Sequence, residues 1–158
     1  MMPKFVAAAL AVSLGTIAVQ LAAAPPAARP NPRLAAVAHR QGEMKKLGGS
    51  LKAIAGFAQG ANDDVAQLRR SAQTIQNVAA GMDRLFPAGT GVGVGTSRAK
   101  PAIWTERDAF RRRIVGLSTA SAALAQAAAT GDREKVRPAF RATGAACKSC
   151  HDFFQVPH

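Results

Sequence analysis

The sequence predicts an all-α protein, an antiparallel four-helix bundle, on three observations. Apolar residues recur at alternating three- and four-residue steps in four separate segments. No stretch sustains the two-residue alternation of a strand. The chain is also rich in alanine, has no tyrosine and carries few β-branched runs.

The first segment runs from about Pro32 to Gln59. Val37, Gln41, Met44, Gly48, Leu51, Ala55 and Ala58 keep strict 3,4 spacing, and Leu47 and Ile54 widen the stripe, so this helix faces a core along its whole length. The second opens with Asn62 as N-cap and Asp63-Asp64 in its first turn, where the helix dipole favours negative charge. Its stripe is Val65, Leu68, Ala72, Ile75, Ala79, Met82 and Phe86, and Pro87 closes it. The stretch from Pro87 to Lys100 contains Gly89, Gly91, Gly93 and Gly95. It does not have the G-x-G-x-x-G spacing, no strand precedes it and no Gly-Lys-Ser/Thr follows, so it reads as a flexible inter-helix connection rather than a phosphate-binding loop.

Pro101 suits the first position of a third helix. That helix presents Ile103, Phe110, Ile114, Leu117, Ser121, Leu124 and Ala128 on one stripe until Gly131 stops it. Asp132 caps the fourth helix. Pro138 lies inside it, where the ring removes a hydrogen bond and clashes with the preceding turn, so a kink or restart is expected there. From Pro138 onward Phe140, Gly144, Cys147, Cys150, His151 and Phe154 share one face.

That face carries Cys147-Lys148-Ser149-Cys150-His151, a C-x-x-C-H eight residues from the end, which reads as covalent attachment of one haem c. Two thiols add across the haem vinyl groups and the adjacent imidazole turns inward to ligate iron. At i, i+3 and i+4 the three side chains meet on one side of a helix. A structural zinc site needs four ligands, and these are the only two cysteines; His39 and His158 are the only other imidazoles. A thioredoxin-like pair wants a βαβ context, and a bare disulfide leaves His151 unexplained. Gly144, one turn before Cys147, removes bulk where the macrocycle lies. Phe140 and Phe154 flank the site, although ordinary core positions account for both equally well.

Lys4 followed by the apolar run from Phe5 to Val19 and by Leu21-Ala22-Ala23-Ala24 reads as an export signal over residues 1–24, cleaved rather than kept as an anchor. Haem attachment outside the cytoplasm fits a periplasmic protein. Residues 25–158 then form one domain. The whole chain has a formal charge of +12 and only Lys4 of its charged residues lies in the signal, so the domain carries +11. Such a surface steers towards acidic partner proteins. Any single cluster, Lys45-Lys46, Arg69-Arg70 or Arg111-Arg112-Arg113, reads as a solvated face. Export, only seven phenylalanines and one tryptophan as aromatics, and no recognisable binding module argue against nucleic acid.

With these residues in place the chain resembles the class II cytochromes c, the family of cytochrome c prime and its low-spin, methionine-ligated relatives. The likeness rests on Phe140-Arg-Ala-Thr-Gly144-Ala-Ala-Cys-Lys-Ser-Cys-His-Asp152, on Pro101-Ala-Ile-Trp104-Thr-Glu-Arg-Asp-Ala-Phe110 and on Arg40-Gln-Gly-Glu-Met44. The resemblance implies a four-helix bundle enclosing one haem, His151 as the proximal ligand, and the first helix over the distal face. It implies Arg40 near a propionate and Trp104 packed close to the haem. Gln41, Phe140 and Phe154 complete the expected pocket.

Met44 stands where the family places the side chain that looks onto the sixth coordination site. Ligation by its thioether gives a low-spin electron carrier with a raised potential. Packing alone, the ordinary role of methionine in a core, leaves a five-coordinate centre that admits nitric oxide or carbon monoxide. Leu85-Phe86-Pro87 and the Pro101 segment resemble the ligated branch more, so the expected function is electron transfer between redox partners without substrate turnover. Met82, on the second stripe, is explained by packing, and His39 lies off the register of Met44. Gln155 departs from the family, in which many relatives have a basic residue near the proximal histidine. Homodimers are common in that family, and the first helix has enough apolar surface to permit one.

Overall fold

The computed structural model describes residues 31–157; the expected export signal, residues 1–24, lies outside the described residues. Four long helices and one short one carry the chain. Helix α1 spans Pro32–Ala58, capped by Asn31, whose Oδ1 accepts from the Arg33 N–H at 2.9 Å, with Pro32 at the first helical position. Helix α2 spans Val65–Ala80. Its cap is Asp64 rather than Asn62: Asp64 Oδ1 accepts from the Gln67 N–H at 2.7 Å. Asn62 instead accepts from the Asp64 N–H, and Asp63 is outside the helix, paired with Arg133. The acidic pair thus sits two residues ahead of its expected place, because the carboxylate that reaches an orphan N–H defines the cap.

Helix α2 also ends earlier than its stripe predicts. Gly81 closes it and Met82–Leu85 forms a 3-10 turn, which sets Met82 and Leu85 on the same side, both buried. Pro101 likewise opens only a single turn, α3 (Ala102–Thr105), and the chain restarts at Glu106 as α4 (Arg107–Thr130). Helix α5 (Arg133–Phe154) is capped by Asp132 and runs unbroken through Pro138, with no restart. The ring falls on the exposed face, so the carbonyl of Glu134 that loses its donor faces water, and Arg137 braces the turn to Glu134 and to the Ala58 carbonyl.

The long helices close into a ring: α1 packs on α2 and α5, and α4 packs on α2 and α5, with the α1–α5 seam the thinnest of the four. Leu47, Ile54 and Phe57 of α1 meet Leu68 and Ile75 of α2, Leu117 and Leu124 of α4, and Val136 of α5. Each large aliphatic buried there contributes about 1.5–3 kcal/mol. On α1 the buried apolar positions are Val37 and Ala58 of the expected stripe and Leu47, Ile54 and Phe57 beside it, whereas Gly48 is exposed and Met44 and Leu51 are half-buried. The stripe of the sequence is the side of α1 that turns towards the thin seam.

A second cluster, Ala99, Ile103, Phe110 and Phe154, sits at the end of the bundle where α5 finishes. Phe110 holds Phe86 and Phe154 edge-on, with ring centroids at 5.0 and 5.2 Å. The tail after α5 is stapled to the segment before α3: Lys100 N–H donates to the Phe154 carbonyl and Val156 N–H to the Arg98 carbonyl, both at 2.9 Å.

At the α4–α5 corner Gly131 has φ +70, and a Cβ there would stand 3.2 Å from Val65 Cγ1. Gly131→Ala should therefore destabilise the protein by about 1–2 kcal/mol, since an L side chain must enter the left-handed region. Chemical denaturation checks this through a lower midpoint at unchanged slope.

Candidate functional site

Two features of α5 build the site. Its cap and unbroken course fix the rotation of the last three turns, and burial of Val136, Thr143 and Phe154 turns Phe140, Gly144 and Cys147 towards the thin seam. Thr143 secures that rotation, its hydroxyl reaching the Ala120 carbonyl of α4 at 3.3 Å.

Cys147 and Cys150 are free thiols, each half-buried. Cys147 lies against the large core cluster and Cys150 against the smaller one, so the pair straddles the junction between them. Burial raises the Cys147 thiol and pushes that of Cys150 up to about 11, with the Arg113 charge opposing and Cys147 adding. His151 follows as an exposed residue. The protein mass around it, and then the charge of Arg98, pull the imidazole below its ordinary value against Asp152, favouring the neutral ring that can coordinate metal. Arg113 braces this stretch, donating from Nε to the Ser149 carbonyl at 3.0 Å while its guanidinium covers Phe153.

Across the seam, Met44 and Leu51 of α1 pack against the same cluster as Phe140, Ala146 and Cys147 of α5. A Cβ added at Gly144 or Gly48 would meet no atom within 4 Å. Two free thiols and an imidazole on one helical face, an apolar wall with a thioether opposite, and glycine clearance between them fit a flat, covalently held macrocycle. Among the described residues no three His, Cys, Asp or Glu side chains gather as a metal site of their own.

The other expected pocket residues divide. Phe140 belongs to the seam, and Trp104 and Phe154 belong to the second cluster beside Cys150. The Trp104 indole donates to the Phe86 carbonyl at 3.1 Å, and its ring lies so close to Gly91 that a Cβ there would stand 3.0 Å away. Arg40 is buried and turned to protein rather than standing at an open edge. Nη1 donates to Thr90 Oγ1 at 2.9 Å and to the Leu85 carbonyl at 3.3 Å; Nη2 donates to the Thr90 carbonyl and to Ser97 Oγ, both at 2.8 Å. Burial lowers its pKa from the usual arginine value. Gln41 donates to Thr96 Oγ1 at 3.0 Å and to the Thr96 carbonyl at 3.1 Å.

The connection of residues 88–99 is therefore ordered rather than flexible: Thr90 is only 1% exposed and Ser97 8%. Its glycines misled the sequence reading, because their local freedom says nothing of a guanidinium 50 residues away. The readable signal was the Thr and Ser among the glycines together with an arginine one turn before Met44.

Comparison with known proteins agrees with this architecture. Residues 35–155 match the family model described as Cytochrome C'. A cytochrome c' of Pararhodospirillum photometricum is 32% identical over 119 residues, 75% of this chain and 94% of that protein. Among solved structures, a cytochrome c' with ligand-controlled dimer dissociation is 30% identical at a TM-score of 0.74, covering 79% of this chain and 97% of that one. A nitric oxide complex of a cytochrome c prime variant from Alcaligenes xylosoxidans is 27% identical at a TM-score of 0.72, covering 80% and 97%. A bundle of this order, a C-x-x-C-H on the last helix and relatives aligned across nearly all of their own length have one reading: the chain belongs to the cytochrome c' family, monohaem class II cytochromes c with one covalently bound haem c.

Proposed function

We propose that this chain is an exported electron carrier in which Cys147 and Cys150 anchor the haem, His151 is the proximal ligand and Met44 the distal one. The observation that carries this reading is the shared packing of Met44 on α1 and Cys147 on α5 against one apolar cluster along the thin seam. The haem these residues would hold would supply one-electron chemistry at its iron. Cys147 and Cys150, at i and i+3, hold it at two points and fix its rotation about the helix. His151 offers a neutral nitrogen. Met44 offers a soft thioether that favours the ferrous state and changes little between oxidation states. Leu51, Phe140 and Ala146 exclude water from the seam, and Trp104, Phe154 and Ile103 close the end near Cys150.

In this reading residues 1–24 direct export to the periplasm and residues 25–158 form the haem domain. No described helix is long and apolar enough to cross a membrane. The domain's charge of +11, the whole chain's +12 less Lys4, steers acidic redox proteins to the surface, and the chain turns over no substrate. The relative with ligand-controlled dimer dissociation supports assembly as a homodimer.

A second reading, a five-coordinate protein that binds nitric oxide or carbon monoxide, draws on the solved nitric oxide complex of the Alcaligenes relative. Gln155 weighs against it: its backbone bridges to Ala99, and its neutral side chain supplies no proximal charge.

Absorption spectra of the ferric and ferrous protein, with and without carbon monoxide, separate the two. The electron carrier shows a low-spin spectrum indifferent to carbon monoxide, and Met44→Ala converts it to a high-spin form that binds the gas. A wild-type spectrum that is already high-spin and shifts with carbon monoxide transfers the assignment to the second reading. The attachment roles have their own test: Cys147→Ser with Cys150→Ser should release all haem into acidified organic solvent, and haem retained in the protein fraction would contradict them.

A further inference from the structure

Between Pro32 and Met44 helix α1 has almost no apolar anchorage. Val37 is the one buried apolar side chain there, and the next is Leu47, beyond Met44. What ties this half of α1 to the molecule is polar. Arg40, 5% exposed, spends both terminal nitrogens on four bonds to Leu85, Thr90 and Ser97, and its guanidinium lies over the Phe86 ring at 4.9 Å. The acceptors are themselves fixed, with Thr90 Oγ1 donating to the Pro87 carbonyl and Ser97 Oγ to the Thr90 carbonyl, each at 2.8 Å. Gln41 adds its pair of bonds to Thr96.

None of these acceptors is a carboxylate. Among the described residues the fork's acceptors are hydroxyl and carbonyl dipoles that the loop aims at it, so any slide or rotation of α1 that opens the fork costs a buried cation its hydrogen bonds. The planar guanidinium makes that constraint directional, which a lysine could not do. Arg40 is one turn before Met44 on the same helix, so both side chains project to neighbouring positions of one face. A slip of one residue turns that face by about 100° and moves it about 1.5 Å along the axis.

We propose that Arg40, Thr90 and Ser97 form a positioning clamp that sets the depth and rotation of the first half of α1, and through it the approach of the Met44 thioether to the iron. The loop of residues 85–97 is then a control element for axial ligation rather than a passive connection. This rests on the reading of Met44 as distal ligand.

Thr90→Val tests it, because the near-isosteric side chain removes the hydroxyl and leaves an Arg40 donor without its partner. In the haem-loaded protein it should raise the high-spin fraction and speed carbon monoxide binding to the ferrous form by about tenfold, the bias lost with one charge-assisted hydrogen bond. Thr90→Ser, which keeps the hydroxyl, should behave as wild type. Leu124→Ala, which loosens the core without removing a partner of Arg40, should lower the unfolding midpoint without altering spin state or gas binding. If Thr90→Val does not accumulate, Ser97→Ala removes one acceptor and should shift the same signals in the same direction by less. A low-spin wild type with Thr90→Val, or Ser97→Ala in its place, spectrally unchanged overturns the clamp alone. A high-spin wild type overturns the Met44 reading and the clamp with it.

Discussion

Phe110, fully buried near the start of α4, is the contact on which the end of the bundle depends. Its ring receives Phe86, from the segment that follows α2, on one side and Phe154, from the last turn of α5, on the other. Edge-to-face pairs of this kind add about 0.5–1.5 kcal/mol each beyond the area they bury. Position matters more than energy here. The end of α2, the start of α4 and the end of α5 are three chain segments with no covalent reason to meet, and each must be placed before Cys150 and His151 can have a defined surrounding. Ile114 and Phe86 touch both clusters, so the large core and the smaller one act as a single body.

The candidate site lies where that body is thinnest. Three of the four inter-helix seams are filled by aliphatic side chains in contact; the seam between α1 and α5 is lined instead by half-buried residues, with glycine at Gly48 and Gly144. A bundle that packed this seam as densely as the others would have no room for a macrocycle between Met44 and Cys147. The family to which the chain belongs solves the same problem by letting the haem complete the core. What holds α1 in place along a thin seam is then partly polar, and the buried Arg40 fork is its largest element. Hydrogen bonds to a charged group contribute about 1.5–3 kcal/mol apiece and are costly to leave half made, which suits a fastener better than apolar contact would.

Most of the helical framework was legible residue by residue. Pro32 starts α1, Asp132 starts α5 and Gly131 ends α4, because caps and left-handed glycines act within one turn and owe little to the rest of the fold. The places that differ share a cause in long-range packing. The helix ends at Gly81 and restarts at Glu106, where the chain buries Met82 and Leu85 in the large cluster and Ile103 in the smaller one. Pro138 does not interrupt α5 because its free carbonyl points to water, a matter of which face is exposed.

By itself, the sequence determined the fold class, the approximate spans of the four long helices and the attachment motif, since helical periodicity, caps and the i, i+3, i+4 spacing of Cys147, Cys150 and His151 are local properties of consecutive residues. Only the tertiary structure decided that the glycine-bearing connection is ordered, that Arg40 is its fastener, and that Met44 and Cys147 line one seam. Those outcomes join residues 50 or more apart in the chain, through burial and hydrogen bonds that exist only when α1, the loop and α5 are assembled.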